Sequence, residues 1–155
     1  MTGRVWTLTV PAPCEWLTAN ERRNQYAQAR RVLAWRNMAF TQAKIAKLPL
    51  SIAHRVRIDA VARFRGTPPV RDTANLHPTA KAVVDGLGQP RLIRRVGKQP
   101  VSIVGYGFLL DDSAKHVDGP FVTIGEPLPD RAFASAGELV LTITELLPAD
   151  TGGAS

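Results

Sequence analysis

From His54 to Arg65 apolar and polar positions alternate clearly enough to define a strand and its two faces. Val56, Ile58, Ala60, Ala62 and Phe64 point one way, and Arg55, Arg57, Asp59, Arg63 and Arg65 point the other. One face packs against a helix and the other is wet and cationic. Val5 to Val10 repeats the pattern with Trp6, Leu8 and Val10 on one side, until Pro11 and Pro13 end the strand. Phe121 to Ile124 and Leu139 to Thr144 predict two further strands.

Helical spacing governs two other segments. Arg22 to Lys47 predicts a long helix with Val32, Trp35, Met38, Ala39, Ala43, Ile45 and Ala46 on an apolar arc. Arg30, Arg36, Lys44 and Lys47 form an adjoining basic arc, readable as a solvated face or as a phosphate-contacting one. Arg31 falls inside the apolar arc, and Pro49 stops the helix. Pro78 to Leu87 predicts a short helix burying Ala80, Val83, Val84 and Leu87, with Gly86 or Gly88 at its end. The order of elements implies an α+β fold in a single small domain. A mixed sheet of about four strands carries two main helices on one face. The domain spans residues 1–147, including a basic loop or arm at 89–106, and residues 148–155 form a flexible tail.

A chain of 155 residues, 45% hydrophobic, sustains one such core. A single cysteine, Cys14, excludes an intramolecular disulfide and a cysteine-based zinc site, and its Pro-rich setting favours an inert thiol over a nucleophile. No stretch approaches the roughly 20 apolar residues of a membrane helix, and Met1-Thr2-Gly3-Arg4 precedes no apolar signal core. A soluble, cytoplasmic protein without a membrane partner is expected.

Charge changes the picture more. Twenty Lys+Arg against 13 Asp+Glu give a formal charge of +7, which suits a polyanionic partner. Within that basic chain, Asp72, Asp85 and the pair Asp111-Asp112 stand out, with Asn75 and Lys81 between the first two. Adjacent aspartates after the apolar run Gly107-Phe108-Leu109-Leu110 suggest either a metal site or a capped turn. Lys81 and Asp85 are i,i+4 neighbours, so Lys81 either pairs with Asp85 or serves as a positioned cation. Asn75 either contacts a phosphate or caps the following helix. His77 and His116 are candidate general bases, although a lone histidine is more often structural.

Taken together, these motifs resemble the RusA-type Holliday junction resolvases of bacteria, phages and prophages. The likeness rests on Asp72, Asn75, Lys81, Asp85-Gly86-Leu87, Gly107 to Asp112 and Leu139 to Glu145, in that order. Ala19-Asn20-Glu21-Arg22 after the opening strand also fits, so the resemblance runs through most of the chain. Ala74 stands where the family has its second aspartate. A few extra residues separate Asn75 from Lys81, and the segment after Leu87 is longer and more basic than the family pattern.

The resemblance implies a homodimer that binds four-way DNA junctions and nicks two strands symmetrically. It implies one Mg²⁺ site per subunit, with Mn²⁺ as a substitute. Asp72 and Asp112 are the leading ligands, with Asp111 or Asp85 completing the set, and Lys81 stabilises transition-state charge. Arg65, Arg71, Arg91, Arg94, Arg95, Lys98 and Lys115 are candidate contacts to the DNA backbone, with Asn75 beside them. Ala74 leaves open an alternative, a catalytically weakened relative that binds branched DNA without cutting it.

Overall fold

The computed structural model describes residues 2–19, 24–66, 68, 72–94, 96–129 and 137–148. Its elements, in chain order, are β1 (Thr2–Pro11), α1 (Gln25–Ala46), β2 (Arg55–Phe64), α2 (His77–Leu87), β3 (Arg91–Ile93), β4 (Val101–Ile103), β5 (Val117–Ile124) and β6 (Gly137–Leu146). The main sheet runs β1-β6-β2-β5. β6 lies antiparallel between β1 and β2, and β5 pairs parallel with β2. The fold is therefore α+β with a four-stranded mixed sheet, and β3 and β4 form a separate two-stranded sheet.

Period-two patterning explains the core. Val56, Ile58, Ala60, Ala62 and Phe64 of β2 are buried together with Leu139, Leu141 and Ile143 of β6 and Leu8 and Val10 of β1. Trp16, from the loop after β1, lies 4.9 Å from Trp35 of α1 and 4.7 Å from Phe64, joining loop, helix and sheet. Buried Thr79 of α2 ties the same loop down by exchanging hydrogen bonds with both the N–H and the carbonyl of Leu17.

The long helix departs from its predicted stripe. It starts at Gln25, where the Asn24 side chain accepts from the Tyr26 N–H at 2.8 Å. Residues 20–23 lie outside the described residues. Arg31, Trp35, Arg36, Ala39 and Ala43 are the buried positions, whereas Val32 and Ile45 face outward. Close helix crossing accounts for the shift. A Cβ on Gly86 of α2 would lie 2.4 Å from the Arg36 carbonyl oxygen and 2.9 Å from the Ala39 Cβ. Glycine and alanine let the two backbones approach, and that approach buries Arg36, which the sequence pattern assigned to the basic arc. Gly86 is thus a packing position, and the α2 cap falls on Gly88.

The segment 89–106 contains the β3–β4 ribbon. Its register pairs Arg91 with Ile103, Leu92 with Ser102 and Ile93 with Val101. The tail from residue 149 onward lies outside the described residues. No described helix is long and apolar enough to cross a membrane.

Candidate functional site

The C-terminal end of α2 organises the acidic constellation. Buried Phe108 and Leu109 anchor the returning chain: the Ile52 N–H donates to Phe108 O at 2.9 Å, and the Leu109 N–H to Leu87 O at 3.1 Å. Gln89 Nε2 donates to Leu109 O at 2.9 Å. This clamp sets Asp111-Asp112 beside the last turn of α2, where Asp85 projects. Lys81 Nζ donates to Asp85 Oδ1 at 2.7 Å and also to Asp112 Oδ2, so one ammonium bridges two carboxylates. Asp85 sits at the helix end whose free carbonyls already carry negative potential, which strengthens its need for a cation.

Burial pulls the Lys81 ammonium toward a lower pKa, but hydrogen bonds to Asp112 and Asp85 outweigh it and leave the group above the ordinary lysine value. The hydrogen bond from Lys81 outweighs partial burial at Asp112 and holds that carboxyl below its usual range. Lys81 therefore makes the i,i+4 pair with Asp85 and a second, long-range ion pair with Asp112.

Beside this bridge lies a cleft of about 370 Å³ lined by Asp85, Asp111, Asp112, Arg36 and Arg91, among others. Arg36, which the sequence placed on a basic arc readable as solvated or phosphate-contacting, is instead buried beside the cleft. Its Nε donates to Val104 O at 2.7 Å and its Nη2 to Gln89 O at 3.3 Å, so it ties α1 to the base of the ribbon. Burial lowers its pKa, with Asp85 opposing. The small residues Ala39 and Gly86 were the sequence signal for its burial, because a close crossing there buries the preceding turn.

The remaining predicted residues divide. Asp72 does not line the cleft: its Oδ1 accepts from the Ala74 N–H at 3.0 Å and caps a single 3-10 turn, Thr73–Leu76. Asp111 behaves as a turn residue, its Oδ1 accepting from the Ser113 N–H at 2.7 Å. Asn75 makes no cap for α2, whose N-terminal position is Leu76 with no side-chain cap. Among the described residues, no three His, Cys, Asp or Glu side chains converge to hold a metal. Asp85 and Asp112 still fit Mg²⁺, which keeps several waters and needs only one or two carboxylates. His116 Nδ1 lies 3.8 Å from Asp111 Oδ2, outside hydrogen-bond range, and His77 is exposed at the start of α2. Burial raises the Cys14 thiol pKa, as expected for an inert cysteine.

The cations divide as well. Arg65, Arg94, Lys98 and Lys115 are exposed, and Arg91 lies on the cleft rim. Arg71 and Arg95 lie outside the described residues. The outer face of β2 is less cationic than its sequence suggests. Arg57 Nε lies 3.1 Å from Asp59 Oδ2, Arg63 Nη1 lies 3.2 Å from Glu138 Oε1, and Arg55 Nη2 lies 3.5 Å from Asp118 Oδ1. No protein-family model matches the chain, and no curated protein matches it.

Proposed function

We propose that this protein is a Mg²⁺-dependent, structure-selective DNA endonuclease that acts on four-way junctions as a homodimer. The observation that carries the reading is the Lys81 ammonium held between Asp85 and Asp112 at the edge of a cleft that also contains Arg36 and Arg91. Carboxylates that share a cation define a place where positive charge is stabilised, and the flanking guanidiniums suit a phosphodiester. The motif order of the junction resolvases supplies the substrate and the dimer.

In this reading Asp85 and Asp112 would hold the metal, and the Lys81 ammonium beside them is the positioned cation that stabilises charge on the scissile phosphate. When bound, the ion would supply Lewis acidity, making a water more acidic and offsetting the negative charge that develops on the phosphoryl oxygens. Arg91 holds the strand at the rim of the cleft. Asp72 is a structural cap in this reading.

The test is cleavage of a synthetic four-way junction with Mg²⁺ or EDTA, comparing wild type with Asp112→Asn. Paired nicks should require metal and disappear in the variant, while junction binding is kept or tightened because a carboxylate facing phosphate is gone. The exposed Lys81–Asp112 pair contributes little to folding, so a loss of cleavage reports on chemistry. A second reading, a branched-DNA binder without nuclease activity, is favoured by Ala74 and by the use of the Asp72 carboxylate as a cap. Junction binding without nicks in any divalent metal would establish that reading instead.

A further inference from the structure

The β3–β4 ribbon carries cations whose mode of binding the proposed function leaves open. From Gly86 to Leu110 the chain carries four cations, Arg91, Arg94, Arg95 and Lys98, and no carboxylate. Arg91, Arg94 and Lys98 are exposed, and none forms an ion pair or side-chain hydrogen bond among the described residues. Apolar side chains share the exposure: Leu92 is 55%, Val101 48% and Val96, at the turn beside left-handed Gly97, 104% accessible.

Three residue pairs cannot hold an isolated hairpin together in water. Its base is fixed instead. Arg36 grips Val104 O and Gln89 O, the Tyr106 N–H donates to Gly86 O at 2.9 Å, and the Tyr106 hydroxyl donates to Leu48 O at 2.6 Å. A ribbon held firmly at the cleft, projecting unpaired cations and apolar side chains, presents a surface suited to a polyanionic partner.

We propose that the β3–β4 ribbon enters the major groove of a DNA duplex arm leading to the cleft, with Val96 foremost and Arg94 and Lys98 on the flanking phosphates. Charge selects a polyanion, and shape selects the form. The B-DNA major groove admits a two-stranded ribbon, whereas the deep, narrow major groove of duplex RNA does not. The inference rests on the proposed DNA reading but concerns grip rather than cutting.

The experiment measures binding of a four-way junction and a plain duplex across a salt series, with dimethyl sulfate footprinting of guanine N7 in the major groove. Arg94→Ala with Lys98→Ala should lower the salt slope by about two units. Val96→Asp, at a fully exposed site, should weaken binding about tenfold by setting an anion against the phosphates and should erase the N7 protection that wild type gives. Val96→Ser, judged folded by circular dichroism, should keep most of the affinity. Wild-type affinity and slope in both charge variants would overturn the proposal, as would bound DNA without N7 protection. Duplex RNA competing as well as duplex DNA would also overturn it. The two readings fail separately. Wild type that grips through the ribbon but never nicks sinks only the nuclease, and wild type that nicks with the ribbon variants unaffected sinks only the groove assignment. Absence of any DNA binding sinks both.

Discussion

The outer face of β2 and the β3–β4 ribbon are both rich in arginine, yet their electrostatics differ. On β2 each of Arg55, Arg57 and Arg63 meets a carboxylate, from β5, from its own strand and from β6 respectively. Arg57 also covers the Phe121 ring, with its guanidinium carbon 4.5 Å from the centroid. On the ribbon no carboxylate is within the segment, and the described cations extend into solvent. A count of basic residues treats the two alike. Pairing with carboxylates makes one a neutralised sheet face, and the lack of them leaves the other a source of positive field. The proposed phosphate contacts fall on the second.

The comparison depends most on Arg36, because that side chain holds the ribbon at the cleft. Arg36→Met removes two part-buried hydrogen bonds from a charged donor to backbone carbonyls while keeping most of the side-chain volume. Relief from burying a cation offsets part of the loss, so a net destabilisation of about 2 kcal/mol is expected. Denaturant unfolding measures it. Hydrogen exchange should show ribbon amides exchanging far faster while β2 and β6 keep their protection. Equal loosening of sheet and ribbon would mean that Arg36 supports the whole fold rather than this arm.

A smaller effect tests the other side. Arg57→Ala with Arg63→Ala should move the salt slope of DNA binding by less than about half a unit, against two units for the ribbon pair. The paired arginines have already exchanged solvent counterions for carboxylates, so they have few to release. A slope change equal to that of the ribbon would place DNA on the sheet and remove the distinction.

The part of this picture that was legible in the sequence follows from range. Strict alternation in β2 and β6 is local, so the sheet, its buried face and the α+β class follow from residues read in order. The Lys81–Asp85 pair is equally local. The Arg63–Glu138 and Lys81–Asp112 contacts are not, because the partners lie 75 and 31 residues apart and meet only after the sheet and the Phe108–Leu109 clamp have formed. Arg36 was misplaced because helical periodicity measures angle and takes no account of how closely a second helix crosses. The ribbon reads as a loop because three-residue strands set among Gly and Pro carry too little alternation to register. Asp72, expected as a metal ligand, instead caps the 3-10 turn, and α2, which Asn75 was a candidate to cap, has no side-chain cap.

The smallest effect concerns acid. Glu145, buried on β6, accepts from Arg4 Nε at 2.9 Å and lies 3.0 Å from His54 Nδ1. The hydrogen bond from Arg4 is the largest influence on its carboxyl, burial opposes it, and His54 assists, so the folded-state pKa lies below the ordinary glutamate value. A depressed carboxylate contributes stability that is complete above the unfolded-state pKa and is lost as pH falls through the folded-state value. Glu145→Gln should therefore be less stable than wild type at neutral pH, and the two should converge as acid protonates the wild-type carboxyl. Thermal unfolding across that range measures the convergence. The ribbon, with no carboxylate of its own, should keep its cations and its salt slope over the same interval. A slope that changes as Glu145 titrates would show that the sheet's ion pairs and the ribbon's free cations act as one surface.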